Sequence, residues 1–175
     1  MKPAKLVGHH IHPMLIVFPL GLLATSVIFD VVYLINQNSA FVLVSYWTIL
    51  AGIIGGLAAA VFGFWDWLTI PGGTRAKRVG GWHGAVNVVV VALFAGSWLL
   101  RHADPALIPS RTALVLSFAA LGLALISGWL GGELVEKLAI GVAANAGPDA
   151  PNSLTDHVPD VQDDAPFGAL GRPTP

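Results

Sequence analysis

Residues 43–69 read LVSYWTILAGIIGGLAAAVFGFWDWLT, an apolar run whose single charged residue, Asp66, lies near its end. A bilayer core of about 30 Å is crossed by about 20 apolar residues in a helix, the one open-chain form that satisfies its own backbone in lipid. Three further runs qualify, at 13–35, 82–101 and 111–131. The chain therefore reads as an all-α integral membrane protein, a four-transmembrane-helix bundle. The short links INQNSAF, PGGTRAKRVGG and RHADPALIPS make neighbouring helices antiparallel, up-down-up-down. Pro13 suits the first turn of its helix, whereas Pro19 lies deeper and predicts a kink. The first run also outlasts the roughly 7–15 apolar residues of a cleavable signal peptide, so it is expected to remain as a span.

Composition narrows the class further. The 175 residues are 55% hydrophobic and 11% charged, against about 25% charged in a soluble domain. The lack of cysteine excludes a disulfide scaffold, Cys-ligated zinc and Fe–S clusters. A net charge of −1 gives no basic face for nucleic acid. There is no G-x-S-x-G, no H-E-x-x-H and no phosphate-binding glycine loop, so enzymatic activity is not the expectation. Transporters show internal repeats and broken helices, and neither is expected of these four spans. Three segments follow: an N-terminal piece, 1–12; the membrane domain, 13–140; and a tail, 141–175. The tail is rich in Pro and Gly and carries Asp149, Asp156, Asp160, Asp163 and Asp164 against Arg172. It is expected to be disordered.

Alternation puts the start of span 1, the end of span 2, the start of span 3 and the end of span 4 at one level, here end A. End A holds Lys2, Lys5, Arg75, Lys77, Arg78 and Lys137; end B holds Arg101 and Arg111. The positive-inside rule then places end A, with both termini, in the cytoplasm, and the membrane as the inner membrane. Trp65, Trp67, Trp82 and Trp129 fall near end A and Trp47 and Trp98 near end B, as interfacial belts do. Small-residue ridges, Gly52/Gly56/Ala60 and Gly55/Ala59/Gly63, predict a second span packed closely on two sides. They also allow a homodimer face. Gly122, Gly128, Gly131 and Gly132 repeat the pattern more weakly in span 4.

Polar residues within a span need a reason. At end A the topology gathers His12, Asp66, His83 and Glu133, one from each span, with Asn87 a turn below His83 and His9 and His10 just outside. Asp66 and Glu133 lie at helix C-termini and His12 and His83 at N-termini, where the dipole disfavours the charged form of each. Neutral imidazoles beside carboxylates suit metal or haem ligation. A purely structural clasp, with Arg75 to Arg78 neutralising the acids, and a proton relay are the alternatives. At end B, Asp30 is expected to pair with Arg101 or Arg111 across the bundle. His102 and His157 are expected in a loop and in the tail, both solvated.

The runs IHPMLIVFPLGLLATSVIFD, AAAVFGFWDW, IPGGTRAKRVGGWHGAVNVVVVALF and SGWLGGELVEKLAIGV resemble the domain-of-unknown-function 2231 family of bacterial membrane proteins, over about residues 8–142. The shared motifs are HP-x5-P, G-x2-D, H-G-x2-N and GG-E-L-V. The resemblance implies a small four-helix protein and singles out His12, Asp66, His83, Asn87 and Glu133. Some members are fused to Rieske iron–sulfur domains, which implies redox company. This chain lacks Rieske Cys/His pairs, so such a partner would be a separate protein. Some members carry a further His where this chain has Val17, which removes one candidate ligand.

The expectation is thus a redox-associated inner-membrane protein. His12, His83 and Asn87 would contact a b-type haem, or His12, Asp66, His83 and Glu133 a transition-metal ion. Its partners would be the lipid bilayer and a membrane redox protein or larger complex. The alternative is a non-catalytic scaffold subunit whose polar cluster is structural.

Overall fold

A computed structural model describes residues 3–144 and 146–150. A two-stranded hairpin, β1 (Lys5–Leu6) and β2 (His9–His10), precedes five helices: α1 (Ile11–Leu15), α2 (Val17–Asn36), α3 (Ser39–Thr69), α4 (Arg75–His102) and α5 (Arg111–Glu136). With α1 and α2 forming one run, Ile11–Asn36, four helical units are long and apolar enough to cross a membrane. The outer surface is apolar: Ile35, Ile54, Val61, Phe64, Val88, Val115 and Leu125 are each 60% or more exposed. Water would not tolerate so continuous a patch, and lipid does. The four-helix membrane class is what the residues fold into. The expected tail beyond residue 150, with His157, lies outside the described residues, as does Lys2.

Local chemistry sets the helix ends. Pro19 has no N–H for the carbonyl of Leu15, so the first span breaks at Ile16, and the helix resumes with Leu20 N–H on Ile16 O at 3.1 Å. The expected kink thus falls at Ile16, whose own backbone stays helical (φ −63°, ψ −19°). Asn38, Thr74 and Ser110 cap α3, α4 and α5 through their side-chain oxygens. The Thr74 cap starts α4 seven residues before the expected span, so Arg75 to Gly81 are helical and the link shrinks to residues 70–74. At the other end of that helix His102 is its last residue rather than part of a loop. It is exposed, but it accepts or donates a 2.9 Å hydrogen bond with Tyr46 Oη and stacks on Trp98, ring centres 5.4 Å apart.

Packing divides the bundle into two hairpins. The tightest pairings are α2 with α3 and α4 with α5; α3–α4 and α2–α5 join them along a lighter seam. His12 meets Ala59 while Asp30 meets Ser45, and His83 meets Ser127 while Ser97 meets Ala113, so each hairpin is antiparallel. The middle of the seam is apolar, built on Leu23, Val27, Ile49, Ile53, Val90, Phe94 and Ala120. Gly52 lets α2 close in: a Cβ there would lie 2.6 Å from the side chain of Leu23.

Toward end B the seam holds a fully buried ion pair. Arg101 (0% exposed) donates from Nη1 and Nη2 to the two carboxylate oxygens of Asp30 (1%), at 2.8 and 2.6 Å. Its remaining donors reach Ser45, Ser97 and Ser117 at 3.2–3.4 Å, so all five guanidinium N–H groups are used. Ser45 Oγ donates to Asp30 at 2.6 Å. Ser97 donates to Ala113 O, so the proton between Ser97 and Ser117 belongs to Ser117. All four spans contribute, and Arg101, not Arg111, is the partner of Asp30.

Removing one partner strands a buried charge, which costs about 3–5 kcal/mol, whereas removing both leaves a volume to be repacked. Asp30→Leu and Arg101→Leu should each lower the thermal unfolding midpoint in detergent sharply. The double variant should be more stable than either single one.

Candidate functional site

Two imidazoles face each other across the seam at end A. His12, in the short α1, donates from Nδ1 to the carbonyl of Ala59 in α3 at 2.8 Å. His83, near the start of α4, donates from Nδ1 to the carbonyl of Ser127 in α5 at 2.9 Å, with Ser127 Oγ at 3.1 Å. A carbonyl only accepts, so both rings carry their proton on Nδ1 and, when neutral, present Nε2 as a lone pair. The ring centres are 6.3 Å apart and the planes stand at 87°. Asn87 Nδ2 donates to His83 Nε2 at 3.1 Å.

Each ring lies on a glycine four residues beyond its carbonyl acceptor. A Cβ at Gly63 would be 2.8 Å from the His12 ring, and one at Gly131 would be 3.2 Å from His83 Cε1. These two glycines belong to the small-residue stretches noted in spans 2 and 4, and their service to the histidines was not foreseen.

The structure brings His12, His83 and Asn87 together and gives the two acids other partners. Asp66 accepts from the backbone N–H of Ala4 at 3.1 Å and contacts His10 Nδ1 at 3.3 Å, so it anchors the N-terminal hairpin. Glu133 pairs with Arg75. Among the described residues no group of three or more His, Cys, Asp or Glu side chains is placed to hold one metal ion. His9 is exposed and turns back on Val7 O.

The pairing exposes an internal repeat, contrary to the expectation of none. His12 and His83 are 71 positions apart, as are Ser26 and Ser97, and Asp30 and Arg101. In the second helix of each hairpin the offset is 68: Ala59 and Ser127 supply the acceptors, Gly63 and Gly131 the seats. Buried Ser45, Ile49 and Gly52 of α3 match buried Ala113, Ser117 and Ala120 of α5 at the same offset. The two hairpins are thus equivalent units related by a pseudo-twofold axis through the seam. The common spacing of His, Ser and the charged residue was the signal available in the sequence.

A four-span helical membrane protein of two repeated hairpins, with paired imidazoles at one end, is the class these features define. The chain matches the family model described as "Predicted membrane protein (DUF2231)" over residues 8–144 and belongs to that family. No curated protein and no solved structure matches it.

If the glycine seat sets the His12 position, Gly63→Ala should overpack it and cost about 1–3 kcal/mol. Gly122→Ala, with nothing within 4 Å of its Cβ, is the control. The thermal midpoint should fall for Gly63→Ala, hold for Gly122→Ala, and recover when His12→Ala accompanies Gly63→Ala.

Proposed function

We propose that this protein carries a b-type haem between His12 and His83 and serves one-electron transfer in the inner membrane, with end A toward the cytoplasm. The observation that carries the reading is the facing pair of imidazoles, each held at Nδ1 by a backbone carbonyl of the neighbouring helix. Ligand histidines are commonly held in this way, which fixes the tautomer and aims Nε2. The two rings stand edge to face with their centres 6.3 Å apart, near enough for one group to be held between them. Donor chemistry favours haem over a bare ion. A bare zinc ion takes three or four protein ligands, whereas a haem would need no more than the two histidines from the chain. Asp66 and Glu133 then lie outside the ligand set, and Asn87 must release His83 Nε2 when the haem binds. The bound group would carry the electron; the chain holds and orients the two imidazoles. The partner is a separate membrane redox protein.

A scaffold subunit is the second reading, favoured by one contact: Asn87 already occupies His83 Nε2. The visible spectrum of detergent-purified protein, oxidised and dithionite-reduced, with metal analysis on the same sample, separates the two. The haem reading expects a Soret band with sharpened reduced bands. His12→Ala and His83→Ala should each abolish them, while Asp66→Asn and Glu133→Gln should leave them. Full haem retention in both histidine variants would rule out the proposal. Neither haem nor metal in an unstripped preparation would leave the scaffold reading.

A further inference from the structure

At end A, outside the histidine pair, an open groove of about 440 Å³ runs between the last turn of α3 and the first turns of α4. Its lining is Trp67, Lys77, Arg78, Gly81 and Trp82, two indoles and two cations. The wall is built rather than accidental. Trp67 Nε1 donates to Lys77 O at 3.0 Å, Lys77 Nζ donates to Trp67 O at 2.6 Å, and the ammonium stands 3.9 Å from the centre of the indole. Gly80 makes room for that indole, since a Cβ there would lie 2.9 Å from Trp67 Cδ1.

The two nearby acids are engaged elsewhere, Asp66 with the N-terminal hairpin and Glu133 with Arg75. Lys77 therefore keeps ammonium donors to spare, and Arg78 is exposed, its guanidinium with no hydrogen bond or ion pair among the described residues. Trp82, 69% exposed, is shared with a second groove of about 150 Å³. That second groove is lined by Ala85, Val86, Val89 and Leu123 and is wholly apolar. From Trp82 to Val89 the helix descends about 10 Å. A cationic cradle at the expected interface and an apolar slot one to two turns deeper thus share the Trp82 indole as a wall.

We infer that these two neighbouring grooves bind an anionic glycerophospholipid, its phosphate on Lys77 and Arg78 and an acyl chain passing Trp82 into the slot below. Charge complementarity selects an anionic headgroup, because the lining holds two cations and no acid. The slot selects a lipid over a free phosphate, because only a lipid fills both levels. Basic pockets between spans commonly recognise anionic headgroups in this way.

Native mass spectrometry of the full chain in detergent tests this, with phosphatidylglycerol, phosphatidylcholine and inorganic phosphate as probes. Phosphatidylglycerol should be retained against excess phosphatidylcholine. Arg78→Gln, which breaks no contact, should reduce that retention about fivefold, with the thermal midpoint unchanged. Lys77→Gln should reduce it likewise, Arg111→Gln at end B should not, and Ala85→Trp should block the slot. Equal retention of the two lipids, or wild-type retention by Arg78→Gln, would overturn the inference. Displacement of phosphatidylglycerol by an equal concentration of inorganic phosphate would also overturn it and reassign the cations to a small phosphate ligand.

Discussion

A guanidinium with no exposure to solvent can persist inside an apolar bundle only if every one of its donors is met, and that requirement organises this molecule. Arg101 lies on α4, its carboxylate partner on α2, and the serines that take its remaining donors on α3, α4 and α5. No span can shift along its axis by a turn without leaving one of these groups unmatched in a medium that offers no water. Lipid tails are as apolar as the helix surfaces, so hydrophobic burial does little to hold the two hairpins together. The seam is held instead by this polar layer, by side chains seated on glycines (Val91 on Gly56, Trp67 on Gly80), and by the Leu23–Phe94 apolar layer between the polar ends.

The same physics explains what could be read from the chain. Span number, alternation and a cross-bundle partner for Asp30 were legible, because a bilayer permits few ways to place long apolar runs and an ionised side chain. The serines were not. Ser45, Ser97 and Ser117 look like small packing residues until the arginine beside them is placed. The N-terminal hairpin was also hidden. Two-residue strands carry no periodicity, and the turn puts Val7 at φ +49° and Gly8 at +81°, where an Asn-Gly pair would have been the recognisable signal. With the hairpin went the true partners of Asp66, Ala4 and His10, so a carboxylate expected beside His12 and His83 serves the N-terminus instead.

The repeat was obscured because it keeps the His, Ser and charged positions and little else. At offset 71 the pairs Pro19/Val90 and Ile16/Asn87 have diverged, and each divergence has a structural effect. Pro19 breaks its span at Ile16, and Asn87 caps one imidazole where the matching Ile16 cannot cap the other. The two hairpins thus share a pattern of polar positions and differ at Pro19 and Asn87.

A pseudo-twofold axis brings each residue to its counterpart, and the outcome depends on whether the counterparts are complementary. At end B the matched residues are Asp30 and Arg101, opposite in charge, and they close on each other with nothing left over. At end A they are His12 and His83, chemically the same. With both Nδ1 protons committed to carbonyls, the two Nε2 atoms are both acceptors and cannot bond to one another. Asn87 satisfies one of them. The other has no donor among the described residues, and the glycines at 63 and 131 hold both rings in place. An iron between the rings is the partner proposed for both Nε2 atoms. That imbalance, set against the self-sufficient layer at end B, is the physical content of the haem proposal.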